Sequence, residues 1–309
     1  MKSISIVTPC FNEEGNVEEL YALVKEEFQK LPQYQYEHIF IDNASQDKTV
    51  SILKDIATVD PNVKIIINAR NFGFVRSSSY GLLQGRGDAT ILLLADLQDP
   101  PSLIPKFIAE WEQGHKLVFG VRESSKESFL LFTIKKMYYY VLYKLADVDL
   151  VRDTTGFGLY DRNIIDMLKQ INDPYPFIKG LVRELGFEAR TISYISGKRT
   201  RGVSTANFLM LYDFAMLGIT SHSKLPLRFA TIIGFVMSVV SILIAIGYFL
   251  YKIFYWNLFP TGTASLLVGL FFFSSVQLFF IGILGEYIGF IHKQTLRRPI
   301  VVERERVNF

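Results

Sequence analysis

Residues 89–101 read ATILLLADLQDPP, an apolar run that stops at Asp96, Gln98 and Asp99 before two prolines. A short apolar run bounded by turn residues reads as a strand buried on both faces, and the prolines mark the start of a helix just beyond it. The same grammar extends outward in both directions. SISIVTP, YEHIFID and VKIIIN precede it as strands, interleaved with the amphipathic stretches NVEELYALVKEEFQKL, KTVSILKDIATV and SSSYGLLQG; SLIPKFIAEWEQG and KLVFGV follow it. Repeated βα units predict an α/β domain built on a parallel sheet covered by helices on both faces.

Ligands of such sheets sit beyond the carboxyl ends of the strands. The residues at those ends are polar here: Pro9, Phe11, Asn12, Glu13 and Glu14 after the first strand, Asp42, Asn43, Ser45 and Asp47 after the second, Asn68, Arg70 and Asn71 after the third, then Asp96, Gln98 and Asp99. Any one cluster is ordinary helix-capping chemistry, and Asp99, nearer the helix that begins at Pro101, is read as that cap. Four clusters on one edge predict a binding site. GFGLYD at 156–161 lacks the third glycine of a dinucleotide fingerprint and no GxxxxGK[ST] loop occurs, which argues against dehydrogenases and P-loop enzymes. His38, His115, His222 and His292 lack ligand spacing for zinc, whereas carboxylates with amides suit Mg²⁺ or Mn²⁺. The single cysteine, Cys10, reads as a small buried residue.

The 309 residues are 50% hydrophobic, but the long uncharged runs gather near the C-terminus. Residues 229–251 carry no charge and 264–291 carry only Glu286, each enough helix to cross about 30 Å of hydrocarbon. Two spans are expected. Lys224 and Arg228 before the first, and His292, Lys293, Arg297 and Arg298 after the second, place both termini on the cytosolic side of a multi-pass plasma-membrane protein. No signal peptide is visible, and a net charge of +3 gives no reason to expect a nucleic-acid partner. The expected division is a cytosolic domain over 1–205, an amphipathic segment over 206–227, the two spans within 228–291, and a cytosolic tail over 292–309. Phe208, Leu211, Tyr212, Ala215, Met216 and Ile219 recur at helical spacing. A helix lying on the membrane and a helix packed on a neighbour explain that stripe equally well.

IVTPCFNEEGNV, IDNASQDKT, NARNFGF and ADLQDPP, in that order, resemble the family 2 inverting glycosyltransferases with the GT-A (Rossmann-like) nucleotide-sugar fold. TGFGLYDR, FIKGLVRELGF, GKRTRGVS and GITSHSKLPLR followed by two spans resemble a narrower group, the polyprenyl-phosphate glycosyltransferases, and within it the bacterial undecaprenyl-phosphate glucosyltransferases. The resemblance covers nearly the whole chain. It implies a UDP-sugar donor, a lipid-phosphate acceptor, Mg²⁺ or Mn²⁺, and a homo-oligomer such as a tetramer. It also implies that Pro9, Asn12 and Glu14 hold the nucleobase side, Asp42 the ribose or base, and Asp96 with Gln98 the metal and diphosphate, with Asn71 on the same donor edge.

Two positions depart from the pattern: relatives commonly read Asp-Ala-Asp-Leu-Gln where this chain has Leu94, and a second aspartate where it has Asn43. Metal affinity is the property these departures put in question. At the acceptor end, Lys198, Arg199 and Arg201 offer forks and ammonium groups matched to a lipid phosphate, or else a basic patch for anionic headgroups. The implied chemistry is an in-line displacement, with Asp153 as base, sugar-binding carboxylate or mere surface residue, and Arg122 as a contact to diphosphate or acceptor. A membrane nucleotide-sugar sensor or scaffold is the competing reading, favoured by Leu94. A processive polysaccharide synthase is disfavoured because neither Trp111 nor Trp256 belongs to a Gln-x-x-Arg-Trp motif.

Overall fold

The computed structural model describes residues 1–123, 151, 154–171, 173–197, 216, 217, 220, 223, 225–254, 263–296 and 298–309. Eight strands form one sheet: β1 (Lys2–Cys10), β2 (Tyr34–Asp42), β3 (Val63–Asn68), β4 (Ala89–Leu92), β5 (Leu117–Arg122), β6 (Gly158–Asp161), β7 (Ala189–Tyr194) and β8 (Glu303–Val307). Their order is β7-β5-β6-β4-β1-β2-β3-β8. The helices are α1 (Val17–Gln29), α2 (Thr49–Val59), α3 (Phe74–Gln84), α4 (Ile104–Glu112), α5 (Arg162–Ile171), α6 (Ile178–Glu184), α7 (Leu225–Phe254) and α8 (Thr263–Thr295).

Strand periodicity divides the core between the two faces. Ile4, Ile6, Phe40, Ile65 and Ile91 point to the side covered by Leu20 and Val24 of α1, Leu53 of α2 and Phe107 of α4. Val7, Ile39, Ile41 and Ile66 point to the other, against Leu82 of α3, Ile164 and Leu168 of α5 and Val182 of α6. Helix α3 lies close to the sheet because Gly81 lets it: a Cβ there would stand 2.8 Å from Ile41 Cγ2 and 2.9 Å from Val7 Cγ1.

The sheet is mixed, which corrects the parallel sheet expected from the sequence. Strands β1 to β4 pair in parallel, but β6 inserts antiparallel between β4 and β5. GFGLYD therefore supplies a strand. With four residues it is too short to show a period, and it needs Gly158, where a Cβ would collide with the Val118 carbonyl oxygen. At the opposite edge β8 runs antiparallel to β3, so the tail after α8 returns to the sheet. Arg76 donates to the Ile300 and Pro299 carbonyls at 2.6 and 2.7 Å, Lys54 pairs with Glu305 at 2.6 Å, and Asn308 Nδ2 donates to the carbonyls of Ala57 and Val63 at 2.8 and 2.9 Å. The Glu-Arg-Glu-Arg composition of β8 hides its strand character from a hydrophobicity reading, and its charges suit an edge that must not recruit another chain.

Both C-terminal runs are helical, over 30 and 33 residues. Among the described residues, one stretch, Phe272–Thr295, is long and apolar enough to cross a membrane; Leu225–Ser241 is a shorter apolar stretch. Large apolar side chains on both face outward, with Phe235 69% and Leu278 68% exposed, whereas Tyr287 of α8 is buried. Of the amphipathic stripe, Phe208, Leu211, Tyr212, Ala215 and Ile219 lie outside the described residues.

Candidate active site

The loops after β1, β2 and β4 each contain a non-glycine residue in the left-handed region: Asn12 (φ 56°), Ala44 (φ 64°) and Leu97 (φ 57°). Such backbone persists where surrounding bonds over-determine it, and it gathers at functional sites.

The first two loops are zipped together. Gln46 N–H donates to Asn12 Oδ1 at 2.8 Å, Asn12 N–H to Ser45 Oγ at 2.9 Å, Lys48 N–H to Glu14 Oε2 at 2.9 Å and Glu14 N–H to Asp47 Oδ2 at 3.1 Å. Asn12 and Glu14 are exposed at this seam, Pro9 is buried within β1, and Asp42 is fully buried. Asp42 accepts the Ser45 backbone N–H at 2.9 Å and the Ser45 hydroxyl; burial raises its pKa, and the bonds from Ser45 partly oppose that rise. Asn43 ties in the third loop. Its Oδ1 accepts Asn68 Nδ2 at 3.1 Å and Phe72 N–H at 3.0 Å, while its Nδ2 donates to Asn71 Oδ1 at 2.8 Å. An amide uses both its functions here, whereas an aspartate would have only one to offer.

The fourth loop carries Asp96, half-buried, whose Oδ1 accepts Gln98 N–H at 3.2 Å. Asp99 is not the helix cap expected from the sequence. Pro100 takes that position without a side-chain bond, and Asp99 instead lies fully buried. Its carboxylate accepts Arg122 Nη2 at 2.8 Å, Thr155 Oγ1 at 3.1 Å and the Tyr194 hydroxyl. Arg122 donates as well to Gln98 Oε1 at 3.3 Å and to the Tyr194 hydroxyl at 3.1 Å. Burial alone would lower the Arg122 pKa, but the adjoining Asp99 and Tyr194 more than reverse this and keep the guanidinium charged. The site thus gains three residues that sequence reading did not assign to it: Asp99, Thr155 and Tyr194. Thr155 opens the TGFGLYDR stretch, which the sequence marked only as part of a family resemblance; Tyr194 ends a half-exposed strand that gave no apolar run.

Ser196 and Gly197 close onto the same loop. Gly197 N–H donates to the Gln98 carbonyl at 3.1 Å, and a Cβ on Gly197 would come within 3.1 Å of the Leu97 oxygen. The root of the GKRTRG segment therefore rests on the Asp96 loop, although Lys198, Arg199 and Arg201 lie outside the described residues, as does Asp153. Cys10 is buried and its thiol pKa is raised well above the usual value, first by burial and then by Asp42, which suits a packing role.

Among the described residues no cluster of three His, Cys, Asp or Glu side chains could hold a metal ion. Asp96 with Gln98 fits the alternative in which Mg²⁺ takes one or two protein groups and completes its shell with phosphate oxygens and water.

Residues 5–168 match the model of Glycosyl transferase family 2. An uncharacterized glycosyltransferase of Bacillus subtilis, YkcC, is 34% identical over 96% of this chain and 92% of its own. The bactoprenol glucosyl transferase of Shigella phage SfV is 34% identical over 98% of this chain and 99% of its own. The solved mannosyl-3-phosphoglycerate synthase of Rubrobacter xylanophilus overlaps 70% of this chain and 71% of its own at a TM-score of 0.48 and 12% identity, a looser likeness. The chain belongs to glycosyl transferase family 2 and is a glycosyltransferase, its α/β domain built on a mixed sheet.

Proposed function

We propose that this enzyme transfers a sugar, glucose from UDP-glucose, to a polyprenyl phosphate, undecaprenyl phosphate, at the cytosolic face of the plasma membrane, with inversion at the anomeric carbon. The observation that carries the reading is the near-full-length match to a bactoprenol glucosyl transferase in a chain that joins a strand-tip carboxylate loop to a long outward-facing apolar helix. Gln294 Nε2, at the end of that helix, donates to Asp173 Oδ1 at 2.9 Å, so the apolar helix and the catalytic domain are in contact. The two helices α7 and α8 are read as two spans, with both termini in the cytosol.

Asn12, Glu14, Asp42 and Asn71 shape the donor edge for the nucleoside, with Pro9 beneath them. Asp96 and Gln98 would hold a Mg²⁺ or Mn²⁺ ion, which neutralises the diphosphate charge when bound. An acceptor phosphate oxygen forms the new bond to the anomeric carbon as the bond to the diphosphate oxygen breaks, and UDP leaves. The acceptor is already anionic at neutral pH, so orientation matters more than proton removal. Arg122, anchored on the buried Asp99, braces Gln98 directly, and Lys198, Arg199 and Arg201, which follow Gly197 in the chain, are assigned to the lipid phosphate.

The test is transfer of radiolabel from UDP-glucose to organic-extractable lipid by the purified full-length protein, with undecaprenyl phosphate and Mg²⁺. Label in the lipid phase that requires both supports the reading. A protein that binds UDP-glucose but yields no glycolipid with any donor sugar is a sensor, as Leu94 would suggest.

A further inference from the structure

The segment after α8 does more than cover a sheet edge. Its pairing with β3 ends where Asn68 meets Glu303, but its contacts continue past that point. Ala69 N–H donates to the Val302 carbonyl at 2.8 Å, and Arg76 donates through Nε to the Ile300 carbonyl at 2.6 Å and through Nη2 to the Pro299 carbonyl at 2.7 Å. Farther along, the Tyr80 hydroxyl donates to Glu303 Oε1 at 2.6 Å and Arg306 Nη2 to Gln84 Oε1 at 2.9 Å. Residues 76, 80 and 84 are four apart on α3, so they form one row along the helix, and that row fixes the register of the returning tail.

The loop held in this way is the third loop of the donor edge. Asn71 Oδ1 accepts Gly73 N–H at 2.8 Å together with Asn43 Nδ2, and Phe72 N–H donates to Asn43 Oδ1. Gly73, at φ 86°, turns the chain into α3, of which Arg76 is the third residue. The Arg76 guanidinium stands 5.0 Å from the Phe72 ring centroid and that of Arg70 4.1 Å from it. Arg76 thus joins the carbonyls just beyond the apolar helix to the ring beside Asn71. A fork used on two successive backbone carbonyls fixes position and direction, which neutralising a charge does not require. Protection of the β3 edge is already supplied by β8 and needs neither Arg76 bond.

We infer that Arg76 is a positioning residue for the donor: by locking residues 69–73 onto Pro299 and Ile300 it holds Asn71 and Asn43 in the arrangement that receives the nucleotide-sugar, acting through Phe72 rather than on the donor itself. The segment after α8 then completes the donor site from the far end of the chain. The inference rests on the proposed donor edge and adds this part to it. Its consequence is reciprocal: a donor that steadies the Asn71 loop also steadies residues 299–302, because one connection serves both.

Hydrogen–deuterium exchange on the wild-type full-length protein in nanodiscs, with and without UDP-glucose and Mg²⁺, tests that consequence. UDP-glucose is expected to slow exchange in 69–76 and in 299–303 together. Bound UDP-glucose that leaves 299–303 unaltered overturns the inference. In steady-state transfer, Arg76→Gln is expected to raise the donor KM about tenfold, the scale of one lost charge-assisted hydrogen bond, with kcat and the acceptor KM unchanged; Arg76→Lys, which keeps the charge but not the fork, should fall between. A merely structural role would lower the unfolding temperature and the active fraction while leaving both KM values as they were, and a folded Arg76→Gln protein with that outcome also overturns it. If the variant does not fold, the wild-type exchange decides. The two claims fail separately. UDP-glucose that does not bind the wild-type chain removes the donor assignment and the inference with it, whereas protection confined to 69–76 removes this inference alone.

Discussion

The Arg122 guanidinium and the fully buried Asp99 carboxylate stand 2.8 Å apart, which ties β5 to the loop that follows β4. The sequence separation of these residues conceals the pair, and its consequence is that Gln98 is held from a strand it does not neighbour. Removing Arg122 strands a buried charge, so Arg122→Met is expected to cost about 3–5 kcal/mol. The double variant Asp99→Asn with Arg122→Met should recover part of that loss, with a coupling of about 1–3 kcal/mol in chemical denaturation of the full chain. Additive losses would show that the pair is not coupled.

The core histidine His38 makes the domain sensitive to acid. His38 Nε2 lies 3.0 Å from Thr8 Oγ1 in a fully buried setting, and burial lowers its pKa from 6.5 to about 3. The unfolded chain therefore binds a proton that the folded one refuses between those values. Stability contributed by neutral His38 is complete above pH 6.5 and falls by up to about 1.4 kcal/mol per unit as pH drops toward 3. Urea midpoints at pH 7.5 and pH 5 should differ less in His38→Gln than in the wild type; an equal difference would discount the histidine.

Asn43 is expected to resist replacement by aspartate. Asn43→Asp removes the donor to Asn71 Oδ1 and sets two acceptors against each other, at a cost of about 1–3 kcal/mol. Thermal unfolding and the donor KM check this: both should worsen. A stabilised variant would show that the amide hub does not organise the donor edge.

The last strand should be indispensable. Deleting residues 303–309 exposes the β3 edge and removes the Asn308 bonds to Ala57 and Val63. Aggregation and faster proteolysis of the catalytic domain are expected, read by size-exclusion chromatography and limited trypsin digestion. A truncated chain as monodisperse and as protease-resistant as the intact one would contradict this.

Much of the fold was legible because buried parallel strands and amphipathic helices announce themselves by period and length. β1 through β5 and α1 through α4 fall where the alternation of the sequence puts them. What escaped has physical reasons. β6 is four residues long, β7 is half-exposed, and β8 is a charged edge strand paired across more than 230 residues. At the candidate site, the polar strand ends do gather on one edge of the sheet, but residue type does not distinguish a carboxylate that caps a helix from one that anchors a distant arginine. Asp99 was misread for that reason.

The account turns on Asp96, the carboxylate at the tip of β4 that would hold the donor's metal-bound diphosphate. Transfer of labelled glucose from UDP-glucose to undecaprenyl phosphate should be measured in saturating Mg²⁺ for the wild type and for Asp96→Asn. The account predicts a loss of at least about 100-fold in kcat, the scale of a removed electrostatic stabiliser, in a protein whose unfolding temperature is unchanged. A folded Asp96→Asn protein that transfers sugar at the wild-type rate would contradict it.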